Sequence, residues 1–346
     1  MNRNHNLILN LQLFAANTQT TTTAGLSDEM KTFYEDRLID YAEPNLVHDQ
    51  FGDEYPIPAN GGKTIEFRKY DSLSKATTPL TEGVTPDGQS LNVSTITATV
   101  AQYGGYITIS DMLKMSAIDN NILQALKILG SQAGRTLDTI TRDVLAGGTN
   151  VIYANGAASR DVLYADSAFN QIKVVDVFKA AAQLEAMNAP KIDGSYVAII
   201  HPYVAFDLMT SSDWIDVHKY ADPDAIFKGE IGKLGNVRFV SSTEAKIWND
   251  STCPIKTNED EEHSIPATYY SVFSTLVLGA NAYGKTAIEG GGLETIVKQL
   301  GAGDDPLNQR ATVGWKATKV AERLVEQYMV RIESVSSTYS ATAAAN

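Results

Sequence analysis

The sequence predicts an α+β fold, and three stretches of it carry that reading. Lys63 to Tyr70 alternates polar and apolar residues with period two, as a half-buried strand does. Ile118, Ile122, Leu126, Leu129, Ala133, Leu137, Ile140 and Val144 recur in steps of three and four, one apolar stripe along one long helix. Beyond Gly148, helical and strand-like runs alternate and lead into a strand-rich C-terminal part.

Taken in order, residues 1–62 read as an arm. Asn17 to Ala24 is almost all Thr, Gln and Ala, and Leu26 to Tyr41 has the spacing of a short amphipathic helix. Ala42 to Gly62 carries Pro44, Pro56 and Pro58 among few apolar residues. A long β-hairpin is expected over 63–109, with its tip at Thr77 to Asn92 and a bulge or bend at Gly104-Gly105. An isolated hairpin is marginal in water, so its apolar face, Ile65 and Phe67, is expected to pack on a neighbouring copy. The long helix should start at Ser116 with Asp119 in a capping box and stop at Gly147-Gly148. Gly130 and Gly134 on one of its faces point to close packing there. Val174 to Asn188 and Pro202 to Thr210 read as helices. Tyr196 to Ile200, Val237 to Val240 and Tyr269 to Leu278 read as strands. Val313, Trp315 and Ala317 share one strand face; Tyr328, Val330 and Ile332 share another. Ser334 to Asn346 is Ser, Thr and Ala rich and is expected to fray.

With 346 residues and a formal net charge of −13, the chain repels phosphate over any broad face. Lys63, Arg68, Lys69 and Lys75 read as the solvated face of a strand. Cys253 is the only cysteine, which excludes an intrachain disulfide and a thiolate cluster and fits a reducing cytoplasm. The apolar run Leu7 to Phe14 is broken by Asn10 and Gln12. It is too polar for a secretion signal and too short for a membrane span.

One stretch has the spelling of an enzymatic motif. Gly279-Ala280-Asn281-Ala282-Tyr283-Gly284-Lys285-Thr286 satisfies G-x-x-x-x-G-K-[ST], in which backbone N–H groups and a helix N-terminus cradle phosphates. Gly290-Gly291-Gly292 follows at once and would break the required helix. His5, His48, His201, His218 and His263 are scattered without metal-ligand spacing. His201 reads as a capping or packed residue. No cofactor, metal or catalytic residue is therefore expected.

Asn10-Leu11-Gln12-Leu13-Phe14-Ala15, Ala282-Tyr283-Gly284-Lys285 and Asp305 to Ala317 resemble local text of one subfamily of phage capsid proteins. The order of elements resembles the major capsid proteins of tailed phages with the HK-97-type fold. The resemblance implies an N-terminal arm at 1–62 and an extended loop at 63–109 lying over an adjacent subunit. It implies a peripheral domain at 110–190 with a spine helix, an axial domain at 191–308, and strands at 309–346 completing the peripheral domain. It also implies a non-enzymatic subunit that assembles as pentamers and hexamers into an icosahedral head. That head would enclose double-stranded DNA without sequence-specific binding and assemble in the host cytoplasm. Partners would be the chain itself, a scaffolding protein, a portal and a decoration protein, with no membrane. From the hairpin, Ile65, Phe67, Arg68, Tyr70, Tyr103 and Tyr106 are expected at inter-subunit contacts. The N-terminus lacks the long charged helical segment of a built-in scaffold, and no Lys–Asn crosslink pair stands out. An encapsulin-like cellular shell and a phosphate-loop enzyme are the competing readings.

Overall fold

A computed structural model describes residues 46–346 apart from 59, 71–72, 86, 117–120, 166–167, 212, 215–231, 257–267, 289–291 and 302–304. The expected helix at Leu26 to Tyr41 and the cap at Asp119 lie outside the described residues. The main elements in chain order are β1 (Asp53–Glu54), β2 (Thr64–Tyr70), β3 (Val93–Thr99), β4 (Ala101–Ser110), α1 (Asp111–Ser116), α2 (Asn121–Ala146) and β5 (Val151–Tyr153). Then come α3 (Val174–Ala186), β6 (Tyr196–Ile200), α4 (Pro202–Thr210), β7 (Val237–Ser241), β8 (Val272–Leu278), β9 (Tyr283–Thr286), β10 (Glu294–Lys298), β11 (Arg310–Arg323) and β12 (Met329–Val335).

The first sheet is organised by β11. One edge of that strand pairs antiparallel with β4, from Arg310↔Ser110 to Lys319↔Ala101. The other edge takes β10 and then β9, and β1 runs parallel to β9. One face of this sheet receives α2, whose predicted stripe supplies Leu126, Leu129, Ala133 and Leu137 against Ile109, Val313, Trp315 and Ala317. Burying each such leucine stabilises the fold by about 1.5–3 kcal/mol. Gly130 and Gly134 are buried as well, and α2 stops where expected, with the Gly147 and Gly148 N–H groups bonded back to Asp143, Val144 and Leu145.

The second sheet runs β5–β12–β8–β6–β7. Its strand β6 is buried along its whole length, which is why Tyr196 to Ile200 reads as a continuous apolar run. Helices α3 and α4 cover one face through Val177, Leu184, Val204 and Leu208. The C-terminal end of α2 (Leu145) and Tyr283 pack on Val197, Ile199 and Leu276 of the other. Cuts at 190 and 308 do not follow the sheets, because β9 and β10 join the first and β12 joins the second.

Three expectations change. Gly104 and Gly105 are not a bulge, since they pair in regular register with Lys316 and Trp315. They are small because of close approach: a Cβ at Gly105 would sit 2.8 Å from Gln132 Oε1, which accepts a 3.2 Å bond from Trp315 Nε1. The C-terminal tail does not fray. The Ser340 hydroxyl donates to the Ser271 carbonyl at 2.6 Å, Tyr339 stacks on Tyr203 with centroids 3.9 Å apart, and Lys246 Nζ reaches the Asn346 carbonyl at 2.6 Å. The arm reading fails for 46–57, which is built into the body; for example, Tyr55 and Ile57 donate their N–H groups to Lys285 and Ala287.

His201 caps α4 by accepting the Tyr203 N–H at 3.2 Å, and burial pushes its pKa down to about 4. The folded chain therefore binds fewer protons than the unfolded one between pH 6.5 and about 4. Stability present above pH 6.5 is lost as the pH falls, by at most about 1.4 kcal/mol per unit. Denaturant unfolding of His201→Asn, whose side-chain oxygen can replace Nδ1 as the capping acceptor, should show a shallower acid slope than the parent.

Candidate subunit interface

The hairpin β2–β3 is a two-stranded ladder in register from Thr64↔Thr99 to Tyr70↔Val93. Its sides are unequal, because period two sorts the residues. Ile65, Phe67, Ile96 and Ala98 share the apolar side; Glu66, Arg68, Thr95 and Thr97 share the polar one. The apolar side is not left bare. Ile65, Phe67 and Ile96 line a cleft of about 650 Å³ together with Tyr55 and Leu324, and Phe67 meets Tyr55 edge to face at 5.3 Å. The tip is different. Leu80 is 78% exposed, Leu91 67% and Val84 63%, and its hydrogen bonds are local.

The six expected contact residues therefore divide. Ile65 and Phe67 are half-buried in the chain's own cleft. Arg68 is exposed beside Glu66 at 3.9 Å, a pair worth no more than about 1 kcal/mol. Tyr70 ends β2, and its side chain lies outside the described residues. Tyr103 and Tyr106 stand on opposite faces of β4. Tyr103 packs over the α2 core, whereas Tyr106 is 75% exposed above Gly314 on the outer face. Around Tyr106, Gly104, Gly314, Ile296 and Thr312 line a shallow trough of about 410 Å³.

Sequence reasoning missed what holds the hairpin's root. The strap formed by 46–57 is tied down by a buried polar network. The His48 N–H and Nδ1 reach the two oxygens of Asp138 at 2.7 and 2.6 Å. Asp49 accepts from Thr141 at 2.5 Å and pairs with Lys319, while the Tyr283 hydroxyl donates to the His48 carbonyl. Burial lowers the Lys319 pKa, and the charge of Asp49 opposes that. Gly52 lies flat on the Tyr283 ring, where an added Cβ would overlap it. Gly52→Ala should destabilise the chain by about 1–3 kcal/mol, read as a shift in the urea midpoint.

The phosphate-loop spelling has no matching geometry. Tyr283 to Thr286 is a strand, Lys285 faces Glu54 at 3.6 Å, and Thr286 is buried. The chain continues into a bridge between Ile288 and Ile57, so among the described residues no helix N-terminus stands behind the motif.

A family model described as phage capsid protein matches residues 93–328. The chain belongs to that family. It is thus a structural shell protein, and the Tyr283 to Thr286 part of the motif is a strand of its first sheet. Solved phage capsids share its HK97-type fold across most of their length. The capsid of cyanophage P-SCSP1u is 16% identical with a TM-score of 0.61, covering 84% of this chain and 89% of that one. The capsid of Ralstonia phage GP4 is 15% identical with a TM-score of 0.61, covering 83% and 87%. The head of Helicobacter pylori bacteriophage KHP40 is 13% identical with a TM-score of 0.57, covering 81% and 88%. No curated protein matches significantly.

Proposed function

We propose that copies of this capsid protein join as pentamers and hexamers into an icosahedral head that encloses double-stranded DNA. The observation that carries the reading is the hairpin: a projecting ladder with bare leucines at its tip, attached to a body that does not need them. An exposed apolar surface of this kind marks a site for another molecule to cover. Arg68, Tyr70 and Tyr106, with the outward parts of Ile65, Phe67 and Tyr103, are proposed to contribute to contacts between copies. The sheet built on β11 with α2 would form the peripheral domain, and the sheet built on β6 and β8 the axial one. The net charge of −13 suits a wall that does not trap packed DNA and reads no sequence. Assembly would take place in the host cytoplasm with a separate scaffolding protein, a portal and a decoration protein.

Electron microscopy of the purified chain, with and without its co-produced scaffold, tests the reading. Closed shells containing DNA after packaging are expected. Particles that hold a protein cargo instead would favour a cellular compartment, and absence of any shell would overturn assembly.

A further inference from the structure

The chain segment 93–110 is paired on opposite edges along its two halves. Val100 donates its N–H to Lys63, which places the even-numbered backbone groups of β3 on β2. Asp111 donates to Gln309, which places the odd-numbered groups of β4 on β11. The line of β2 is cut short where the chain turns at Asn60 and Gly62, both with positive φ. As a result, the outward N–H and C=O groups of Gln102, Gly104, Tyr106 and Thr108 meet no bonding partner among the described residues. The odd-numbered groups of β3 are left over in the same way.

Folded proteins blunt such edges with charge, proline or a bulge. β2 follows that rule with Glu66, Arg68 and Lys69. Neither β3 (Val-Ser-Thr-Ile-Thr-Ala-Thr) nor β4 (Ala-Gln-Tyr-Gly-Gly-Tyr-Ile-Thr-Ile-Ser) holds a charge or a proline. Both are rich in β-branched and aromatic residues. At about 3.3 Å per residue the two edges are also long enough to match, roughly 23 and 33 Å.

We infer that the open edge of β4 accepts the open edge of β3 from a second copy. This rests on the shell reading and says which strands join. One chain offers β3 on one side and β4 on the other, so the contact is head to tail and can propagate around a ring. Tyr106, on the outer face of β4, would stand beside the side chains of the incoming strand.

Disulfide trapping in assembled shells tests the pairing. Thr95, Thr97, Gln102, Tyr106 and Thr108 are exposed, and the native Cys253 is buried. Chains carrying Thr95→Cys or Thr97→Cys, co-assembled with chains carrying Gln102→Cys, Tyr106→Cys or Thr108→Cys, should yield mixed dimers. The yield should exceed at least tenfold that of Thr97→Cys with Leu307→Cys, and at least one register should dominate. A second arm uses Tyr106→Pro, which removes an N–H that no described residue uses. Its monomer should unfold at the parent's midpoint and its shells should be lost. Shells that form normally but cross-link no better than the control, or that form from Tyr106→Pro, would overturn the pairing. Absence of shells from the parent chain with its scaffold would instead overturn the shell reading beneath it.

Discussion

A chain lacking Thr77 to Asn92 should fold and form no shells. The described residues of that stretch are exposed, and their hydrogen bonds join neighbours in sequence, such as Val84 to Thr81 and Thr77 to Lys75. None reaches the two sheets, so removal takes nothing from the packed body. The remaining connector from β2 to Val93 is long enough to close the ladder. What disappears is the set of leucines at 80 and 91, with Val84, that nothing among the described residues covers. The unfolding midpoint should stay within a few degrees of the parent, whereas sedimentation should show only small species. Normal particles from the deleted chain would remove the hairpin tip from assembly altogether.

The largest loss of stability is expected from Glu333→Ala. Glu333 is fully buried on β12, and its two oxygens accept from Arg160 at 2.7 Å each, while Arg331 adds a third bond at 2.8 Å. The Arg331 guanidinium also bonds the carbonyls of Ala146 and Gly148, so it closes the C-terminal end of α2. Both guanidiniums stand over the Trp248 ring, at 4.1 and 5.3 Å. Alanine would leave the buried Arg331 without a carboxylate and take from the partly buried Arg160 its two shortest bonds, which costs about 3–5 kcal/mol. That is a large share of the 5–15 kcal/mol typical of a domain. Arg135→Ala is the comparison. Its partner Glu244 lies at 2.8 Å, but the arginine is mostly exposed, so its loss should stay below about 1 kcal/mol. Urea unfolding of the two variants should differ by several-fold in ΔΔG; equal losses would show that burial is not what gives Glu333 its weight.

What was legible in the sequence was whatever repeats locally. The α2 stripe and the β2 alternation are periodic, so burial on one side leaves a trace at every third, fourth or second residue. The strap left no such trace. His48 and Asp138 stand 90 positions apart, and Asp49 and Lys319 stand 270 apart. Polar residues that meet at such separations look like surface residues when read singly. Ser334 to Asn346 misled for a related reason: serine hydroxyls bonded to backbone do there what apolar side chains do elsewhere. Gly104-Gly105 was ambiguous because glycine marks both a bend and a close approach, and only the facing Trp315 decides between them. At the candidate interface, the hairpin ladder could be read in advance from its alternation. The vacant edges could not, since they follow from which neighbours each half of 93–110 has.

The placement of β11 has a consequence for synthesis. It is the middle strand of the first sheet, and β12 lies inside the second, yet both belong to the last forty residues. A ribosome that has made the first 300 residues has completed neither sheet: β4, β9 and β10 still wait for their common neighbour, and β5 and β8 still wait for β12 between them. Pairings of such long sequence separation form late. An interrupted chain thus lacks the finished body on which the hairpin is mounted, and on the proposed assembly truncated products should stay out of shells without any separate inspection step.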